Sequence, residues 1–483
     1  MVDSEITRDG PAPRGPFDVA VVGAGVVGCA IARELGGRGA SCVLVEAGDD
    51  VGAGTSKANT AIHHTGFDAT PGTVEARLVR RGYEVLREYA GRAGIPIATT
   101  GALMVAWTPE QLEALSGVQA AAVDNGHTDT RRVEVEELYE REPALGPGAL
   151  GGLEIPREGI LCPFTATLAL ATEAVENGTR LALRARVLGV EEGEHFELTT
   201  SRGPIRARYL VNAAGLYSDE LDAMLGHREF TITPRRGELI VFDKLARGLV
   251  DGILLPVPTA RTKGVLVSPT VYGNVLLGPT ADDLDSKEDR STTADGLSSL
   301  LADGARIVPG LADHEVTATY VGLRAASEHR DYQLRVHAEQ RYACAGGIRS
   351  TGVSASMAIA EHVCEGLAAA GLELAAEHRG TAPRMPNIGE LAPRPYERPE
   401  AIATDPDFGR IVCFCERVTR RELGDAIASG IPPGDLDGVR RRTRALMGRC
   451  QGFFCAAEVS AALASARGES IAEVMGGSDG DPG

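Results

Sequence analysis

No stretch of this chain reaches the run of about 18 apolar residues that a membrane-crossing helix needs. The richest run, Val19 to Leu35, is broken by Gly23, Gly25, Gly28, Arg33 and Glu34. Met1 to Pro16 holds no apolar signal-peptide core and reads as a polar, disordered tail, so a cytoplasmic location is expected. Positive charge is short as well: 49 Lys and Arg face 67 Asp and Glu, a net charge of −18. A chain this acidic is a poor non-specific ligand for nucleic acid or anionic lipid, although peripheral membrane association through a partner stays open. An anionic substrate would need a local group of Arg or Lys working against the global field. The 59 glycines and 26 prolines follow no Gly-X-Y period, which excludes a collagen-like chain. There is one tryptophan, Trp107, and with the run Gly101 to Ala106 it reads as a substrate-domain strand rather than a stacking platform.

What the chain has in quantity is core: 43% of its residues are hydrophobic. Its length suits about three domains at roughly 150 residues each. Asp18 to Val22 is a short apolar strand, followed by Gly23-Ala24-Gly25-Val26-Val27-Gly28, a helix over Cys29 to Arg38, a second strand over Cys42 to Val45, and Glu46. Strand, glycine turn, helix, strand and acid make a dinucleotide fingerprint. Gly23 allows the tight turn, Gly25 lets backbone approach a pyrophosphate, and Gly28 lets helix and strand pack. The diphosphate is expected on the helix N-terminus. Glu46, 18 residues past Gly28, would accept hydrogen bonds from an adenosine ribose.

The fingerprint alone does not separate NAD from FAD. Four motifs in order do: the fingerprint, Gly52 to Asn59 followed by Ile62-His63-His64-Thr65-Gly66, then Asn212-Ala213-Ala214-Gly215, then Gly346-Gly347-Ile348-Arg349 with Gly352-Val353-Ser354. Together they resemble the glutathione-reductase-type FAD fold of the D-amino-acid-oxidase-like superfamily. The branch that fits best holds L-2-hydroxyglutarate oxidases and FAD-dependent glycerol-3-phosphate dehydrogenases. That resemblance implies an α/β fold: an FAD-binding Rossmann domain with an antiparallel or mixed sheet for the substrate. It implies that Thr55, Ser56 and Asn59 line the flavin diphosphate or ring edges, and that the Val187 backbone meets the adenine. Gly215, Gly347, Ile348, Gly352, Val353 and Ser354 would form the remaining flavin turns. The family often has Ser-Gly where this chain has Thr60-Ala61, and Pro where it has Met357.

Five of the nine cysteines, Cys29, Cys42, Cys162, Cys344 and Cys364, stand singly in apolar surroundings and read as small buried hydrophobes. The other four form two close pairs, Cys413-Phe414-Cys415 and Cys450 to Cys455, separated by 34 residues. Such pairs ligate zinc or an iron–sulfur cluster. The C-x-C spacing is tight for a zinc knuckle and suits a 2Fe–2S rhomb. With Arg440-Arg441-Arg442-Thr443-Arg444 and Gly448, the segment resembles the BFD-like 2Fe–2S domain appended to anaerobic glycerol-3-phosphate dehydrogenases.

The expected organisation is a tail over 1–16 and an oxidoreductase over 17–375. Within the latter, FAD segments fall near 17–90, 150–230 and 320–375, and a substrate domain near 91–149 and 231–319. A linker with six prolines covers 376–408, the cluster domain 409–467, and a tail 468–483. For the chemistry, His64 is the candidate base, with His63 facing elsewhere if the segment is extended. Arg324, in Gly322-Leu323-Arg324, is the candidate clamp for a substrate carboxylate or phosphate, with Lys263 and Arg349 as further anion ligands. Asp68, Glu328, His329 and Arg330 read as solvated loop residues. The expected function is oxidation of a small hydroxylated anion, glycerol 3-phosphate or L-2-hydroxyglutarate, with electrons leaving through the cluster to a redox carrier or quinone-linked acceptor. Two rivals are an amine, opine or imino-acid dehydrogenase, and a non-catalytic electron carrier or redox sensor.

Overall fold

A computed structural model describes residues 5–258 and 264–476. Its first nine-stranded sheet grows from the fingerprint strand, Phe17–Val22, whose inner residues Val19, Ala20 and Val21 are buried on both faces. Cys42–Val45 pairs parallel on one side and Gly203–Asn212 parallel on the other. Tyr342–Gly346 adds a further parallel strand. Parallel strands need crossovers, and apolar runs buried on both faces are what such a sheet requires. The helices Val26–Gly37, Val74–Ala93, Pro163–Glu176 and Gly352–Ala369 contribute their apolar sides to the large core on one face. On the other face a meander, Val187–Glu191 and Phe196–Thr200, extends the sheet antiparallel, as the Glu-Gly and Arg-Gly turns suggest.

The second nine-stranded sheet is built mainly from the two segments expected for the substrate domain. Ala102–Ala106 carries the run before Trp107, and Leu266–Pro269 and Val275–Gly278 form a hairpin. Its spine is a long antiparallel ribbon, Ile232–Phe242 against Val316–Ser327, in register from Ile232↔Ser327 to Val241↔Ala318, with a shift before Phe242↔Val316. A small third sheet joins Ile62–His63, Ile97–Ala98 and Gly159–Leu161. All five scattered cysteines are buried. Among the described residues, no helix is long and apolar enough to cross a membrane.

Three expectations about the chain's connecting parts need correction. Residues 5–16 are not a loose tail: Ile6–Thr7 pairs in parallel with Arg180–Ala182 at the sheet edge. The Arg202 guanidinium ties them down by donating to the carbonyls of Thr7, Asp9, Gly10 and Leu183. Two apolar-edge residues in a polar stretch are too short a pattern to read from sequence. The Pro-rich stretch 376–408 is no free spacer either. His378 Nε2 lies 2.7 Å from Glu173 Oε1, in the space a Cβ on Gly37 would fill. Further along, Ile388 is buried, and Arg394, 2% exposed, pairs with Glu422 at 2.7 Å. The stretch is a strap laid over the first domain. Beyond it, the expected 468–483 tail contains the short helix Ile471–Gly476.

The C-terminal unit is small and helical. A hairpin, Ile411–Cys413 with Val418–Thr419, precedes the helices Arg420–Ile427, Leu436–Thr443 and Ala456–Arg467 around their own core.

Candidate active site and cofactor cradles

The fingerprint turn leaves no room for side chains on its inner side. A Cβ on Gly28 would lie 1.8 Å from the Gly23 carbonyl oxygen, and one on Gly23, at φ +104°, 2.4 Å from that of Ala213. On the outer side, at Gly25, a Cβ would meet only Ser56 Oγ at 3.2 Å. That is the open approach a diphosphate needs, and the Val26 N–H already donates to Ser56 Oγ at 2.9 Å. Glu46 stands at the same mouth, accepting from the Ala24 and Gly48 N–H groups at 2.7 and 2.8 Å. Burial pushes its carboxyl up, against those two hydrogen bonds. The Ala185 N–H bonds the Glu46 carbonyl, which brings the strand starting at Val187 beside it. Gly215 sits at φ +60° with open space around its missing side chain.

A helix leaves its first N–H groups without intrahelical partners. Seven described helices have twelve residues or more. Four of them take a side-chain cap, from Thr73, Thr108, Cys162 and Thr293. The three whose N-cap side chain makes no such bond begin at Gly25, at Thr351 and at Cys455. These are the diphosphate turn, the second flavin turn and the last cluster cysteine. At Thr351 the hydroxyl is drawn away, bonding Tyr332 and Glu75. The open helix ends and the glycine cradle fit an anionic dinucleotide.

Thr55 and Asn59, expected from the resemblance to line the flavin, also hold the loop in shape. Thr55 Oγ1 donates to the Leu323 carbonyl at 2.8 Å, and Asn59 Nδ2 to that of Ser56 at 2.8 Å. The Tyr320 hydroxyl donates to the Asn59 carbonyl, and a Cβ on Gly322 would lie 2.0 Å from the Ala58 oxygen. Tyr320, Gly322 and Arg324 therefore share the face of their strand that meets this loop. Ala61 keeps φ +57°, a conformation that suits glycine, where the family often has one.

His64 follows this loop, just past the strand Ile62–His63. Its backbone N–H donates to Ser354 Oγ at 2.9 Å, and its Nδ1 is 3.2 Å from Glu158 Oε2. Glu158 is fully buried and also accepts from the Thr65 N–H and hydroxyl at 2.6 and 2.7 Å. A fixed carboxylate on Nδ1 orients the ring and leaves Nε2 to meet a substrate proton. His63 turns away, buried and stacked on Tyr83 with centroids 4.2 Å apart. No sequence signal marked Glu158, 94 residues downstream; the three-stranded sheet brings it in.

Arg324 donates to the Thr280 carbonyl at 3.1 Å and makes no ion pair among the described residues. Burial, and then Arg235 beside it, pull its pKa down to about 10, so it stays charged at neutral pH. Arg235 itself is held by Asp283 at 2.6 Å. Arg349 does not present a free guanidinium: it pairs with Glu75 at 3.2 Å and donates to the Arg330 carbonyl. Gly347 at φ +63° and Gly352 shape that turn, where side chains would press on Gln333 and Ile348. Lys263 lies outside the described residues.

The four clustered cysteines meet as two pairs. Cys413 lies beside Cys455, and Cys415 beside Cys450. Backbone N–H groups of Glu416 and Leu446 point at the Cys413 sulfur, and those of Phe454 and Gly452 at Cys450. Among the described residues no three His, Cys, Asp or Glu converge as a single metal ion would need. Two pairs of thiols with N–H donors fit a 2Fe–2S rhomb. Gly448 is required there, since its Cβ would fall 2.2 Å from that of Cys415.

The cluster unit is seated on the first domain by buried charge. Arg442, from the arginine run, grips Asp50 at 2.5 and 2.8 Å. Buried Arg444 pairs with Glu416 at 3.1 Å, and its guanidinium lies 4.0 Å from the Tyr272 ring centroid. Arg449 pairs with Asp243 at 2.6 Å. The arginine run was visible in the sequence, but its partners were not.

Comparison with known proteins agrees with this geometry. Residues 18–366 match the model of the FAD dependent oxidoreductase family, and residues 411–465 that of the BFD-like [2Fe-2S] binding domain. A glycerol 3-phosphate dehydrogenase of Caloramator mitchellensis is 34% identical over 95% of this chain and 96% of its own. A mitochondrial L-2-hydroxyglutarate dehydrogenase of Homo sapiens is 29% identical over 55% of this chain and 61% of its own. The solved L-alpha-glycerophosphate oxidase of Mycoplasma pneumoniae, with FAD bound, superposes with a TM-score of 0.72 at 28% identity. That match covers 77% of this chain and 100% of the other.

Proposed function

The chain belongs to the FAD dependent oxidoreductase family and carries a BFD-like 2Fe–2S domain; on that premise we propose that it is a glycerol-3-phosphate dehydrogenase whose electrons leave through its cluster. The observation that carries the anionic substrate is Arg324, a half-buried guanidinium without a carboxylate partner among the described residues, on the strand face that meets the flavin loop. Such a charge is costly to bury unless an anion completes it, and its fork matches phosphate or carboxylate. When bound, FAD would supply the hydride acceptor, and a cluster held by Cys413, Cys415, Cys450 and Cys455 would supply a one-electron outlet.

The chain's own residues do the rest. Arg324 holds the anionic end, so that the carbinol carbon is fixed in orientation before reaction. His64 takes the hydroxyl proton at Nε2, its ring held by Glu158. Glycerol 3-phosphate is favoured over L-2-hydroxyglutarate because the glycerol 3-phosphate dehydrogenase relative matches across both domains, whereas the L-2-hydroxyglutarate relative matches over little more than half the chain.

The test is anaerobic bleaching of the bound flavin, followed by absorbance, with sn-glycerol 3-phosphate, L-2-hydroxyglutarate, glycine and proline in turn. Rapid bleaching by glycerol 3-phosphate alone is expected. Bleaching by an amino acid, with none by glycerol 3-phosphate or L-2-hydroxyglutarate, would replace this reading with C–N oxidation.

A further inference from the structure

One buried carboxylate stands between the two cofactor cradles. Asp50 is 1% exposed and lies in the loop between Glu46, at the adenosine end of the FAD cradle, and the Gly52 to Ser56 turn. From its own domain it accepts the N–H of Val51 at 2.9 Å and feels the charge of Arg8, which donates to the Asp49 and Pro432 carbonyls at the same seam. Its remaining partners come from the cluster domain, about 390 residues away: Arg442 in two-pronged contact and Arg441 Nη2 at 2.8 Å. Arg442 is locked in turn, donating to the carbonyls of Ile431 and Gly438. A second contact runs in parallel. Lys57, next to Ser56, reaches Asp437 Oδ2 at 2.5 Å, and Asp437 also holds Arg441.

The backbones come equally close. A Cβ on Gly434 would lie 2.3 Å from the Asp49 carbonyl, and one on Gly438 2.6 Å from Asp50 Oδ2. A cleft at this seam is lined by Gly52, Ser56 and Phe164 from one side and by Arg441 and Arg442 from the other. The loop that shapes the FAD cradle therefore has the cluster domain as its outer wall.

We infer that the Asp50–Arg441–Arg442 clamp couples the two cofactor sites, so that docking of the cluster domain holds the FAD loop closed and bound FAD holds the cluster domain in place. Coupling of this kind is reciprocal. Removing one partner of a buried ion pair leaves the other charge stranded, so the loop should loosen whichever side of the seam is cut. The inference concerns cofactor retention and does not depend on which substrate is oxidised.

The test uses the full-length protein with both cofactors loaded and no substrate. Release of FAD is followed by the rise of flavin fluorescence on dilution, beside cluster absorbance and acid-labile sulfide. Asp50→Asn and Arg442→Gln should each speed FAD release by about tenfold or more. The double variant should release FAD no faster than the quicker single one, because both cut the same contact. Arg442→Gln decides the matter, since it alters no residue of the FAD domain. Lys57→Met, which spares Asp50, should give a smaller acceleration and keeps the test alive if Arg442→Gln fails to fold. In the reverse direction, wild type stripped of FAD should be cut faster by trypsin at the exposed Arg379 and Arg384 than the loaded protein. Wild-type FAD release from a soluble, cluster-loaded Arg442→Gln variant would overturn the inference. So would single effects that simply multiply in the double variant.

Discussion

The FAD cradle and the cluster cradle both offer backbone N–H groups to an anionic cofactor, yet they make their sharp turns differently. Around FAD the left-handed positions are mostly glycines, among them Gly23, Gly215 and Gly347. Around the cluster they are Arg417, Arg444, Leu446 and Gln451, with Gly452. The difference follows from what the side chain at each turn must do. At Gly23 another backbone comes within a Cβ's reach and excludes any side chain, at Gly347 a side chain would press on Gln333, and at Gly215 only the left-handed backbone asks for glycine. At the cluster turns the side chain is needed. Arg444 plugs into Glu416 and Tyr272, Leu446 fills the small core, and Gln451 donates to the Thr317 carbonyl across the seam. Left-handed strain of about 1–3 kcal/mol per residue is offset there by a docking contact.

The contrast can be broken most severely at Gly28. Gly28→Ala places a methyl within 1.8 Å of a backbone oxygen that cannot give way, and overpacking of that kind costs about 3 kcal/mol or more. Protein that still folds should come off the column with almost no FAD, measured as the ratio of 450 to 280 nm absorbance. Gly448→Ala should instead lose labile sulfide.

A smaller but still large effect is expected where side chains act on substrate. His64→Gln should slow anaerobic flavin reduction by about 10²- to 10⁴-fold. Glu158→Gln, which keeps the ring but weakens its anchor, should slow it less. Arg324→Lys keeps the charge and loses the fork. A loss of about 2–3 kcal/mol corresponds to roughly 30- to 150-fold in kcat/KM, with dithionite reduction of the flavin untouched.

The strap gives a pH test. Burial pushes Glu173 up, but a hydrogen bond from His378 and the charge of Arg33 at 2.9 Å outweigh it and hold its pKa at about 2, below the ordinary 4.5. A depressed carboxyl adds stability that is complete above about pH 4.5 and disappears as pH falls toward 2. The melting temperature of wild type should therefore exceed that of His378→Phe at pH 7, and the gap should narrow below pH 4.5. The smallest effect is Ala61→Gly, which relieves a left-handed alanine. A gain of about 1 kcal/mol, read as a slight rise in melting temperature, would place the FAD loop on the glycine side of the contrast.

What could be read in the sequence was what lies close along the chain. Cys42–Val45, the fingerprint turn and the helix at Gly352 show as local apolar runs and glycine spacings, and the four cysteines as paired spacing. What could not be read depends on the sheet bringing distant residues together. Glu158 is an ordinary turn acid until Gly159–Leu161 pairs with Ile62–His63. Asp50 looks like a polar loop residue until an arginine helix nearly 400 residues on closes over it. Thr55 and Asn59 were legible as functional positions but not as scaffold, because residue type alone does not say which way a hydroxyl or amide points.

The two-residue strand Ile6–Thr7 carries one more consequence, for handling the protein. It occupies the outer hydrogen-bonding edge of Arg180–Ala182, where an unpaired parallel strand would offer a template for another chain. A truncation that starts the protein at the fingerprint, however sensible it looks on paper, would strip that cover and turn a sheet margin into an adhesive one. Tags are better placed ahead of Glu5, and loss of the first dozen residues by proteolysis should appear as association in light scattering before any cofactor is lost.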